Sequence, residues 1–501
     1  MSEQVSVTER YDLELKDISK DCLQHLENAA VAGSVPSPEE ERRLVRKLDL
    51  HIIPILISLY VMGFLDRVNI GNARLFGLEK DLGLKGDDYQ MCVSLLFLTY
   101  VIFELPTNIY LKKIGPRNFI PAASISWGIV SMCTGFVQNK AQLIAMRLLL
   151  GACEAGYFPG ICFYLTFWYR RRELGLRIFL LFTAAAVSGS CGGLLAYAIG
   201  HMDGINGYRA WRWLMILEGI PTILLGISAY FILADEPASA RYLTAREKEL
   251  TRIRHGQDKM TLPEDKGGQL QWSQVLEAFK DWKVWTLSTA QIGVTVMLYG
   301  YSTFLPTIIE ALGYSGIHTQ LLTIPCYACG AIVYFFTAYA SDRAGQRGIF
   351  AVAGCLVSCT GYAILLGTPR YGAGTQYAGC VIVAVGLYVA VGIPISWMPN
   401  NLVSHYKRAT GNATLFTLSN VGGVISSFIY RTQDAPRYTL GHAIMLCCVF
   451  ASGCTYGLVS ILLRRENRKR DRGERNYILE GKTEAETARL GDMHPEYRYI
   501  Y

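Results

Sequence analysis

The sequence predicts an all-α membrane protein with about twelve spanning helices in two sets of six. Three observations carry this reading. First, 51% of the chain is hydrophobic and only 18% is charged, with a mean hydropathy of +0.23. Soluble domains carry about a quarter charged residues, so lipid must replace water over much of this surface. Second, the apolar residues come in blocks: 52–65, 178–199 and 214–233 can each cross all or most of a hydrocarbon core. Third, cations collect in short segments beside those blocks. That placement suits topology control and not nucleic acid, although the formal charge is 48 − 41 = +7.

Taken in order, the first six spans are expected near 49–73, 89–111, 119–137, 141–164, 178–200 and 210–233. The second six are expected near 284–305, 318–340, 349–367, 376–398, 410–430 and 440–463. The chain thus divides into an N-terminal tail (1–47), a six-helix half (48–233), a polar central loop (234–282), a second half (283–463) and a C-terminal tail (464–501). Residues 241–254 in the central loop resemble a surface helix. The polar start at 1–47 shows no cleavable signal.

Orientation follows from loop cations. Arg42, Arg43, Arg46 and Lys47 precede span one; Lys112, Lys113 and Arg117 follow span two; Arg170, Arg171, Arg172 and Arg177 follow span four. Arg343 and Arg347, then Lys407 and Arg408, then Arg464, Arg465, Arg468, Lys469 and Arg470 follow spans eight, ten and twelve. The opposite loops are poorer, with Arg74, Lys80, Lys85, Lys140, Arg209, Arg370, Arg431 and Arg437. The positive-inside rule therefore puts both termini and the central loop in the cytoplasm.

The 14 cysteines lie mostly within apolar runs, as Cys191, Cys447 and Cys448 do, and offer no disulfide framework. Cys326 and Cys329 form a CxxC inside an apolar helix with no second pair, which reads as small apolar packing and not a metal site. No cofactor or metal is expected. The chain has no GxxxxGK[ST], HExxH or GxSxG in the context an enzyme needs. The reading is a non-enzyme powered by an ion gradient.

Two copies of a basic, glycine-containing loop occupy equivalent places, LKKIGPR at 111–117 and SDRAGQR at 341–347. Both resemble the loop motif of the major facilitator superfamily, although Lys112 stands where an acidic residue is common. A more specific likeness runs over 48–465. It includes FLDRVNIGNA (64–73), FELPTNIYLKKIGPR (103–117), RLLLGACEAGYFPG (147–160), WRWLMILEGIPT (211–222), ADEPASARYLTAREKE (234–249) and YGYSTFLPTIIEALGY (299–314). Together these resemble the anion:cation symporter family, in particular its fungal allantoate permease branch. That resemblance implies the major facilitator fold, a site near the midplane between the halves, and proton-coupled symport of a small carboxylate such as nicotinate or allantoate. It also suggests a fungal plasma membrane. A monomer is expected.

Charges at membrane depth cost about 2.5–3.5 kcal/mol each on insertion scales, so each needs a partner or a cavity. Asp66 and Arg67 lie toward the end of span one; they read either as a pair fixing the helix end or as part of a transport site. Arg147 and Glu154 share one face of span four, seven residues and about 10 Å apart. A guanidinium fork fits a carboxylate, and a carboxyl group in low dielectric favours its neutral, proton-carrying form. An internal brace is the competing reading. The family resemblance implies proton handling at Asp66 and Glu154 and anion binding or gating at Arg67 and Arg147. Glu104 and Glu218 are further acids, with pairing to cations such as Arg212 as one explanation. Tyr299, Tyr301 and Phe304 are candidates for an aromatic wall, and Asn420 for a ligand donor, against helix packing for each. Gly189, Gly193, Gly422 and Gly423 suit close helix crossings.

Two other functions compete. An exporter of a secondary metabolite is one, although SGSCGG at 188–193 lacks the proline of drug-type antiporters. A non-transporting nutrient sensor is the other, although the tails are short.

Overall fold

The computed structural model describes residues 37–259, 272–314, 317–367, 372–483, 487 and 490–501. The first 36 residues of the expected N-terminal tail, part of the central loop and Arg370 lie outside the described residues. Every regular element among the described residues is helical.

The first helix, α1 (Pro38–Leu75), starts well before the apolar run. Ser37 caps it: its Oγ accepts from the Glu40 amide and Glu40 reaches back to the Ser37 amide, both at 3.1 Å, with Pro38 in the first turn. A short turn, α2 (Leu78–Asp81), leads to α3 (Asp88–Ile114), α4 (Pro116–Thr134), α5 (Lys140–Glu154), α6 (Tyr157–Leu165), α7 (Arg171–Gly200) and α8 (Ala210–Ile232). In the central loop, α9 (Ala245–Lys259) is the expected surface helix, and α10 (Trp272–Lys280) is one the pattern reading missed. The remainder are α11 (Trp282–Ala311), α12 (Ile317–Ala344), α13 (Arg347–Gly367), α14 (Ala373–Asn400), α15 (His405–Ser426) and α16 (Thr439–Asp471).

Nine spans among the described residues are long and apolar enough to cross a membrane, with α5 and α6 counted as one. Helices α3, α4 and α15 hold 27, 19 and 22 residues and stand where three more spans are expected. At 1.5 Å per residue even the shortest reaches about 28 Å.

Within the first set, α4 packs on α8, α1 on α7 and α8, and α3 on α5. Within the second, α13 packs on α14 and α16, and α11 on α15. The three most extensive contacts between the sets are α1 with α11, α3 with α15, and α7 with α12. Each crossing has a glycine at the contact. A Cβ on Gly71 would strike the Thr303 carbonyl, one on Gly423 the Phe97 ring, and one on Gly189 the Tyr327 ring. Small residues here let the helices approach closely, against backbone at Thr303 and against rings at Phe97 and Tyr327. Among the described residues no ion pair joins the two sets. The side-chain hydrogen bonds that do join them are long: Ser190 to the Ile324 carbonyl at 3.4 Å, and Thr417 and Asn420 to Glu104 at 3.4 and 3.5 Å.

The end of the bundle carrying the central loop is bound together by charge. Arg254 of α9 holds Glu41 at 2.9 Å and also Glu173 at the start of α7. Lys47 holds Glu247 at 2.8 Å, and Arg177 holds Asp49 at 2.6 Å. The segment expected as a C-terminal tail begins inside α16 and then folds back. Asp492 is buried between Lys283 (2.6 Å) and Lys407 (2.8 Å), and Lys407 also holds Asp281 at 2.8 Å. Arg470 donates to the carbonyls of Asp492, His494 and Tyr497. The Asn401 amide and the Ile500 backbone bond each other twice, both at 2.8 Å. Residues 490–501 thereby tie the ends of α11, α14, α15 and α16 together.

Candidate functional site

Between the two sets, near mid-bundle, lies a narrow cavity. Tyr60 and Arg67 of α1, Tyr100 and Glu104 of α3, Phe158 of α6 and Phe182 of α7 line it from the first set. Gln291, Thr295 and Tyr299 of α11 with Phe416, Ser419 and Asn420 of α15 line it from the second. Its volume is about 50 Å³, well below the roughly 300 Å³ at which small-molecule pockets begin. Aromatic rings fill much of it: Phe158 meets Phe416 at 5.0 Å and Phe97 meets Tyr299 at 4.5 Å, each pair spanning the two sets. Admitting a ligand therefore requires these rings or the helices behind them to move.

Arg67 is the cation lining this cavity. Its Nε donates to Glu154 Oε2 at 2.5 Å, and its guanidinium lies over the Tyr100 ring at 4.6 Å. Glu154 is buried and its other oxygen, Oε1, has no hydrogen-bond partner. The local backbone explains its position. Span four is not one helix: α5 ends at Glu154, Ala155 is extended, and Gly156 takes φ +73° before α6 begins. Only glycine enters that region cheaply, and a Cβ on Gly156 would also strike the Thr107 side chain of α3. The expectation of one continuous helix over 141–164 is thus corrected. Glu154 becomes the last residue before a break, and discontinuous helices commonly mark binding sites in transporters.

Adjacent side chains on a helix diverge by about 100°, and Asp66 accordingly points away from Arg67. It is buried, accepts from Ser131 Oγ of α4 at 2.5 Å through Oδ1, and leaves Oδ2 unpartnered. Arg147 is buried two turns before Glu154; its Nε lacks a partner and it forms no ion pair within 4 Å among the described residues. Asp66, Arg147 and Glu154 thus form a buried group in the first set, behind the cavity wall that Arg67 and Glu104 line.

On the opposite wall, Tyr299 donates its hydroxyl to Asn420 Oδ1 at 3.1 Å, and Asn420 Nδ2 donates to Glu104 Oε2 at 3.5 Å. Tyr301 does not line the cavity, contrary to the sequence reading. Two residues along a helix turn the side chain by about 200°, and its hydroxyl instead bonds the Cys380 carbonyl of α14 at 2.8 Å. Phe304 is likewise directed elsewhere, against Tyr89 and Tyr430. The suggested Glu218–Arg212 pairing is absent: Arg212 holds Asp81 at 3.0 Å, and both Glu218 oxygens are buried without a partner.

Several lining residues were missed from sequence. Tyr60 sits seven residues before Arg67, on nearly the same helix face, and Tyr100 sits four before Glu104. The spacing was visible; what it lacked was a reason to prefer these tyrosines to others in an aromatic-rich chain.

The sequence profile of the Major Facilitator Superfamily matches residues 56–427. The chain belongs to that superfamily. An uncharacterized transporter of Schizosaccharomyces pombe is 37% identical over 433 residues, 86% of each chain. The high-affinity nicotinic acid transporter of Saccharomyces cerevisiae is 35% identical over 473 residues, 93% of this chain and 86% of that one. Among solved structures, a bacterial homologue of the human lysosomal transporter Spinster shares the fold, with a TM-score of 0.63 at 17% identity over 81% of this chain and 96% of that one. The protein is therefore a multi-pass membrane transporter with a small-molecule substrate, and not an enzyme.

Proposed function

We propose that this transporter is a proton-coupled symporter of a small organic anion, a carboxylate of the nicotinate or allantoate type, in the allantoate permease branch. The observation that carries the reading is the Arg67–Glu154 pair at the cavity wall. A guanidinium fork held by one carboxylate is poised to exchange it for another. An entering carboxylate takes Arg67 from Glu154, and the released Glu154 accepts a proton. One anion and one proton then leave the charge of the site unchanged, so the loaded site crosses the bilayer without a net cost in buried charge. Asp66 and Arg147 tune this exchange from behind. Tyr299 and Asn420 supply an aromatic face and an amide to the body of the substrate, which suits the heteroaromatic acid named for the yeast relative.

The same reading takes 48–233 and 283–463 as six-helix halves that rock about the site. The long hydrogen bonds and glycine-mediated contacts between the sets support such motion. Both termini and the central loop lie in the cytoplasm, the loop cations being the support, and the carrier works as a monomer at the plasma membrane.

The test is uptake of radiolabelled nicotinate and allantoate into proteoliposomes under an inward pH gradient. Accumulation that collapses with a protonophore is expected for one of these or a close carboxylate. Uptake indifferent to the pH gradient across the whole carboxylate panel overturns the proposal.

A further inference from the structure

The central loop ends in a helix whose outer face matches none of the functions above. In α10, Trp272, Leu276 and Phe279 are 67%, 55% and 45% exposed. At about 100° per residue these three fall within roughly 60° of one another. Ala278 is buried on a second face that packs on α15, and on that face Gln274 Oε1 accepts from the Tyr406 amide at 3.2 Å. Ser273, Glu277 and Lys280 make a third, polar face. The helix thus has one side for protein, one for water and one that is apolar and uncovered, each about a third of its circumference.

The uncovered side continues onto a spanning helix. Only Asp281 separates α10 from α11, and it is extended (φ −79°, ψ 113°), so the two helices meet at a bend. The bend is pinned: Asp281 caps α11 by accepting from the Lys283 amide at 3.0 Å and pairs with Lys407 at 2.8 Å. Beyond it, Trp282 and Trp285 open α11 and are each 45% exposed. The Phe279 and Trp285 rings meet at 6.2 Å, and Trp285 Nε1 donates to the Phe279 carbonyl at 2.7 Å. One apolar strip therefore runs from Trp272 around the bend to Trp285.

From this geometry we infer that α10 is an in-plane membrane anchor. Its Trp272, Leu276 and Phe279 face sinks into the headgroup–acyl boundary of the leaflet at the central-loop end. The first turns of a spanning helix lie at the depth where tryptophan belts form. A strip continuous with them reaches the same lipid. Amphipathic helices with an aromatic and aliphatic face and a charged opposite side lie in that boundary. The consequence is mechanical: the anchor sets the depth of α11, which carries Tyr299 to the cavity, and fixes one end of the central loop to the bilayer surface. This inference stands on the fold alone and is independent of substrate and coupling.

The test uses the full-length protein in phosphatidylcholine proteoliposomes, with tryptophan fluorescence compared between wild type and Trp272→Phe. The difference reports Trp272 itself. Lipid brominated near the headgroup is expected to quench that signal at least twofold more than lipid brominated near the chain ends, and aqueous iodide to leave it nearly unchanged. Iodide quenching without bromolipid quenching means a water-facing helix and overturns the inference. Shielding from both quenchers means the face is covered by a second copy or another protein, and also overturns it. As a second arm, Leu276→Glu with Phe279→Glu is expected to cut bromolipid quenching of Trp272 at least twofold; unchanged quenching again overturns it.

Discussion

Two clusters of buried charge occupy this molecule, and they are built on opposite principles. At the central-loop end, Asp281 and Asp492 face Lys283 and Lys407, two anions against two cations. The carboxylates accept from ammonium groups at 2.6–2.8 Å, and the nearby Arg470 donates to three carbonyls. At mid-bundle, acids outnumber bases and valences are left over. One oxygen of Asp66, one of Glu154, both of Glu218 and Nε of Arg147 have no partner. Buried polar groups are normally satisfied, and an exception calls for an explanation. A saturated cluster holds structure in place, while an unsaturated one retains capacity for a guest anion and for protons. The saturated cluster also sits beside water, where desolvation costs least, whereas the unsaturated one bears its cost at membrane depth.

The contrast breaks most visibly at Asp492. Asp492→Ala leaves two buried ammonium groups sharing the single carboxylate of Asp281 and is expected to cost about 3–5 kcal/mol. It should lower the thermal midpoint and expose residues 490–501 to proteolysis, with substrate affinity per folded molecule unchanged. A Tm within error of wild type would show that the tail is ornamental. Next comes Gly156→Ala, which forces a side chain into the left-handed region against Thr107. It is expected to cost about 1–3 kcal/mol and to reduce uptake, because the break places Glu154.

Glu154→Gln sharpens the comparison from the other side. It is expected to lower pH-driven accumulation at least tenfold, about 1.4 kcal/mol in transport terms, while counterflow exchange and thermal stability stay near wild type. Acid-stimulated uptake at wild-type rates would remove Glu154 from the mechanism. The smallest effect concerns pH at the tail. Burial alone would raise the Asp492 carboxyl, but Lys283 and Lys407 outweigh it and hold the group below the usual carboxylate value of 3.8. A depressed pKa gives stabilisation that is complete above the unfolded value and lost as pH falls through the folded one. Tail protection should therefore be flat from neutrality down to about pH 4 and decline only in stronger acid.

Much of the architecture was readable from apolar blocks, since backbone in lipid has few options besides a helix. The acids and bases at depth were equally visible, because they interrupt those blocks. Partners were not. Arg67 reaches Glu154 across 87 positions, and Lys283 reaches Asp492 across 209; nothing local marks either pairing. Nor did sequence distinguish Gly156 from Gly151 and Gly160, because the contact with Thr107 that accompanies its left-handed turn comes from another helix. Tyr301 is a different kind of miss: helix geometry alone separates it from Tyr299, so simple angular arithmetic would have removed it.

The seam between the two sets has a consequence for behaviour in salt. Among the described residues it carries no ion pair, and backbone, glycine, rings and three long hydrogen bonds hold it together around the cavity. Mobile ions act by shortening the reach of charge, to about 3 Å at molar strength, and this seam offers them no ion pair to loosen. The equilibrium between the two facings of the empty carrier is thus expected to shift only weakly with ionic strength, an unusual tolerance in a protein this rich in arginine.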